Sequence, residues 1–93
     1  MTKNEKVEAF NNLVVEFRTQ QHKSLELFNL AMEEASKIDG FDSKDPSVAC
    51  KAMGKAEHYE ESHKEYMIEC DMLAAMKNFC KTNRCMYLFK GWE

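Results

Sequence analysis

The stretch DGFDSKDPS, Asp39 to Ser47, is the one dense cluster of turn-forming residues in a chain of 93, and its reading decides the fold. Gly40 suits the left-handed position that closes a helix. Asp45 is a good N-cap, and Pro46 fits a first helical turn, where its missing N–H is not needed. Upstream, no glycine or proline lies between Thr2 and Asp39; downstream, Gly54 is the sole such interruption from Pro46 to about Asn83. The expectation is an all-α antiparallel helical hairpin forming a single domain over 1–93: helix one about 4–38, turn 39–45, helix two about 46–83 and a C-terminal arm 84–93.

Apolar spacing on either side of the turn supports this. A 3-4 seam runs Val7, Phe10, Val14, Phe17, Gln21, Ser24, Phe28, Ala31, Ala35, Ile38 in helix one. In helix two it runs Ala49, Ala52, Ala56, Tyr59, His63, Tyr66, Cys70, Leu73, Lys77, Cys80. A bend near residue 42 sets residue i opposite roughly residue 84 − i. Phe28 and Met32 then face Ala56 and Ala52, and Gln21, Ser24 and His63 share one polar layer, a device that fixes register at some cost in stability.

Two such helices leave a flank bare. Leu13, Leu25, Leu27, Leu30, Met67, Met72 and Met76 widen the apolar stripe beyond the strict seam, so a second layer is needed. A second copy would supply it by forming a four-helix-bundle-like homodimer; the arm folding back is the other candidate. The arm, CMYLFKGWE from Cys85 to Glu93, carries the only tryptophan. Tyr87, Leu88, Phe89 and Trp92 are large anchors of the kind found at interfaces, so the arm is expected to be ordered.

Composition bounds the function classes. The chain is 44% hydrophobic and 31% charged with a net charge of −3, which fits a folded soluble domain and disfavours general affinity for nucleic acid. No apolar run approaches a membrane span, and MTKNEKVEAF lacks the apolar core of a signal peptide, so a cytoplasmic protein is expected. Cys50, Cys70, Cys80 and Cys85 form no C-x-x-C pair and read as small apolar core residues in a reducing compartment. His22 and His58 read as solvated. No nucleophile-elbow or phosphate-cradling glycine motif is present, and no cofactor is expected.

Charge and metal-capable residues supply the remaining candidates. Glu57, Glu61, Glu65 and Glu69 fall at four-residue steps, an acidic stripe suited to a basic partner. Lys77, Lys81 and Arg84 make the end of helix two basic, a weak nucleic-acid alternative. Glu60 and His63 form E-x-x-H, which resembles the ligand motif of ferritin-like di-iron proteins. With Met32-Glu33-Glu34 before a D-G-F-D turn and Tyr87-Leu88-Phe89 near the end, the chain loosely resembles the short, two-helix encapsulated ferritins. That resemblance implies Glu34, Glu60 and His63 as iron ligands. The pairing derived above instead sets Glu34 near Cys50, so the leading expectation carries no metal site. That expectation is a non-catalytic protein–protein interaction module, a small cytosolic regulator or inhibitor of the type phages direct at host machinery. Tyr87, Leu88, Phe89 and Trp92 would be its anchors and the acidic stripe its charged surface.

Overall fold

The computed structural model describes residues 1–92 and is all-helical. Helix α1 spans Lys3–Ala35, α2 Pro46–Gly54 and α3 Tyr59–Thr82; two single 3₁₀ turns, Met86–Leu88 and Lys90–Trp92, follow. Thr2 and Glu5 form a capping box at the start of α1: the Glu5 N–H donates to the Thr2 hydroxyl at 3.2 Å, and the Thr2 N–H to the Glu5 carboxylate at 3.3 Å. The decisive turn is built as its residues dictate. Gly40 sits at φ +95°, and Asp45 caps α2 by accepting from the Ser47 N–H at 3.0 Å.

The expected second helix is in fact two, and the first stops at Ala35 rather than near Ile38. The break lies where Gly54 lowers helix propensity. Lys55, Ala56 and Tyr59 donate to carbonyls three residues back, the tighter 3₁₀ pattern. The His58 N–H donates instead to the Glu34 carboxylate on α1, at 2.9 Å. A tertiary acceptor thus takes an amide that a continuous helix would have bonded internally, and no proline was required for the break.

The interruption resets the helical phase. The expected seam residues His63, Tyr66 and Lys77 are exposed, whereas Ser62 and Met76, off that seam, are buried; Cys80 is buried as expected. It also moves the pairing of α1 with the chain after the break away from the expected one, by amounts from one residue to nine. Gln20 and Lys23 meet Glu65, Ser24 meets Glu69, and Glu34 meets His58. Ala56 is therefore covered by Ala31 and Ala35, and Phe28 is left 46% exposed instead of seated against it.

α1 and α3 run in opposite directions and are held by two separate cores. At one end Phe10 and Phe17 pack with Met76, Cys80, Cys85 and Phe89. At the other, Ala31, Ala35 and Ala56 pack with Phe41, Met53 and Tyr59. Between them the seam narrows to Ser24 and Ser62. The result is a rod of 56 × 21 × 16 Å, mostly one helix pair thick. Among the described residues no helix is long and apolar enough to cross a membrane.

Candidate functional site

The C-terminal arm begins where α3 ends. Arg84 takes φ +55°, its N–H donates to the Lys81 carbonyl at 3.3 Å, and the Cys85 N–H donates to the Cys80 carbonyl at 2.8 Å. This is a Schellman closure with the hydrophobic contact that accompanies it, here between two fully buried cysteines. Burial, reinforced by Cys85 alongside, pushes the Cys80 thiol up to about 11. The reversal aims the arm back along the rod. Phe89 enters the core at 3% exposure. Trp92 meets Phe17 edge-on at 5.4 Å, and the Arg18 guanidinium lies 4.6 Å over the indole. Leu88 packs partly buried on the same core, while Tyr87 points outward at 55% exposure. The four expected anchors thus divide: Leu88, Phe89 and Trp92 cover their own chain, and Tyr87 does not.

Beyond the arm, a groove of about 720 Å³ runs between α1 and α3. Arg18, Gln21, His22, Ser24, Leu25 and Phe28 line one wall; Tyr59, Ser62, His63, Tyr66 and Glu69 line the other. The polar trio Gln21, Ser24 and His63 is gathered here, but its members bond elsewhere. Gln21 accepts from Arg18 at 2.8 Å, the Ser24 hydroxyl donates to Glu69, and His63 stacks on Tyr59 with ring centres 6.2 Å apart. The buried residues at the floor, Ser24 and Ser62, are small, and the large side chains stand at the rim: Leu25 is 54% exposed and Tyr66 also 54%.

The acidic stripe does not stand as one solvated face. Glu57 belongs to the turn before α3 and, like Glu61, is exposed. Glu65 and Glu69 are half-buried and turned toward α1. Hydrogen bonding from Gln20 at 2.6 Å, then Lys23 at 3.1 Å, outweighs the opposing burial and holds the Glu65 carboxyl below the usual range. Lys77, Lys81 and Arg84 remain exposed around the end of α3.

Glu34 makes the most specific polar contact. One carboxylate oxygen accepts the His58 backbone N–H, and the other lies 2.7 Å from His58 Nδ1. Burial opposes ionisation of Glu34, but the bonds from His58 and its charge prevail and hold the carboxyl low. The same hydrogen bond, against a desolvation penalty, raises the His58 imidazole, with the charges of Glu34, Glu57 and Glu61 adding to it. His58 is therefore an inter-helix tie rather than a solvated residue. Sequence spacing missed it because the contact exists only once the second helix breaks; Gly54 was the sole signal.

Ligating atoms of Glu34, Glu57 and His58 all lie within 4.8 Å of one another. One imidazole nitrogen and two carboxylate oxygens could hold a borderline divalent ion such as zinc or ferrous iron. Glu60 and His63 are exposed on α3 outside this cluster, so the ligand set implied by the ferritin resemblance is not brought together within one chain. Comparison with known proteins gives no matching family model, no matching curated protein and no matching solved structure.

Proposed function

We propose that this chain acts without catalysis, as a small cytosolic protein-interaction module that regulates or inhibits another protein, and that the groove is its docking face. One observation carries the reading. Leu25, Phe28 and Tyr66 are large apolar or aromatic side chains, each about half exposed, around a groove wide enough for a helix side chain to enter. The half-buried carboxylates near it are engaged in ties between segments: Glu34 with His58, Glu65 with Gln20 and Lys23, and Glu69 with Ser24. Assembly of the chain into a four-helix-bundle-like homodimer would use the same face, and the exposed Glu57 and Glu61 would serve a basic partner beside it.

Affinity capture from the native host tests this. A partner retained by the wild type and lost on Leu25→Glu plus Phe28→Glu, with helicity unchanged, supports the groove. The same proteins held by both forms would remove it.

The Glu34, Glu57 and His58 cluster favours a second reading, divalent-metal binding. It predicts stoichiometric zinc or iron in protein purified without chelator, abolished by Glu57→Gln and His58→Gln but not by Glu60→Gln. Substoichiometric metal, unaffected by these changes, would dismiss it.

A further inference from the structure

The accessible surface is 6778 Å² for a chain of 10.9 kDa. A compact monomer of that mass exposes roughly 5,600 Å². The excess, roughly 1,200 Å², is larger than the ~800 Å² that each partner contributes to a standard interface. The radius of gyration tells the same story, at 17.7 Å against roughly 12 Å for a compact chain of this length. The arm supplies a second layer at the Phe10–Phe17 end, through Phe89 and Trp92. Among the described residues the middle of the rod has no such layer from its own chain, and there the seam residues are small (Ser24, Ser62) while Leu25, Phe28 and Tyr66 face out.

The groove's charges are mixed: Arg18 lines it from α1 and Glu69 from α3. A two-fold axis through the groove exchanges its ends, so that the half-exposed apolar rims of the two copies close on each other.

We infer that the groove is filled by a second copy of this chain, in an isologous two-fold dimer that completes a four-helix layer over Leu25, Phe28 and Tyr66. The inference rests on the interaction reading above and names its partner. The geometry also leaves both arms outside the new interface, because each is already seated on its own chain.

Sedimentation equilibrium of the full chain from about 1 to 200 μM, at physiological salt, is the test. The expected result is a mass of 21.8 kDa, twice 10.9 kDa. Leu25→Glu plus Phe28→Glu should shift the midpoint upward at least tenfold without loss of helical circular dichroism. Should that variant unfold, Leu25→Ser is used in its place, since a half-exposed rim position tolerates it. Tyr87→Glu, on the arm, should leave the midpoint unchanged. A monomer throughout the range overturns the second copy; the interaction reading survives that result if capture of a different protein remains sensitive to the groove. A dimer insensitive to the groove changes, or one lost on Tyr87→Glu, sinks both.

Discussion

Replacing Phe89 with alanine is the sharpest probe of the arm. Phe89 is 3% exposed among Phe10, Phe17, Met76, Cys80 and Cys85. A buried phenylalanine removes roughly 150–200 Å² from water, worth about 4–5 kcal/mol at ~25 cal/mol per Å². Alanine keeps part of that area buried while the cavity left behind adds to the cost, so the expected loss is about 3–5 kcal/mol. A domain of this size has only about 5–14 kcal/mol in total, so the variant should sit close to its unfolding threshold. Urea melts followed by circular dichroism give the total loss. The single tryptophan gives the local one, because Trp92 lies against Phe17 and Arg18 and should become wet when the arm is released. Tyr87→Ala is the control: at 55% exposure it should cost no more than about 0.5 kcal/mol. If Phe89→Ala melts within about 0.5 kcal/mol of the wild type with unaltered Trp92 emission, the arm is not seated on its own chain, and the division of the four anchors fails.

Other expectations follow from particular contacts. The Glu34–His58 tie contributes its full stabilisation between the ordinary values of the two groups, 4.5 and 6.5. The raised His58 contributes stability below its unfolded value, which is lost as pH rises through the folded one; the lowered Glu34 contributes above its own, which is lost in acid. Wild-type midpoints should therefore fall from pH 6 to 8.5, and a Glu34→Gln protein with the same slope would contradict the tie. Gly40→Ala should cost about 2 kcal/mol in thermal or urea melts, since the left-handed φ penalises alanine and its Cβ would stand 2.8 Å from Val48 Cγ1. Gly54→Ala meets nothing within 4 Å and should be neutral or stabilising by up to ~1 kcal/mol. Arg84→Gly should gain roughly 0.5 kcal/mol by relieving a non-glycine residue at φ +55°, net of the entropy glycine adds to the unfolded chain. An aromatic disulfide reagent should label the exposed Cys50 quickly, and Cys80 and Cys85 only on unfolding.

The sequence by itself determined the helical content, the position of the main turn and the buried face of α1. Phe10, Phe17, Ser24, Ala31 and Ala35 all fall on the seam read from spacing, and Asp45, Pro46 and Gly40 do what their local chemistry requires. These are short-range properties, set by propensity, capping and period. Gly54 marked the break in the sequence only as a local weakness; tertiary structure completed it at Lys55 to His58, where Glu34 supplies from another helix the acceptor that takes the His58 amide. From that break came the altered phase of α3, the new partners of Gln20 and Ser24, the exposure of His63 and Tyr66, and the meeting of Glu34 with His58 rather than with the neighbourhood of Cys50. A hydrogen bond between residues 24 apart in the chain is invisible to a reading of helical periods, and so is the helix phase that follows the break beside it.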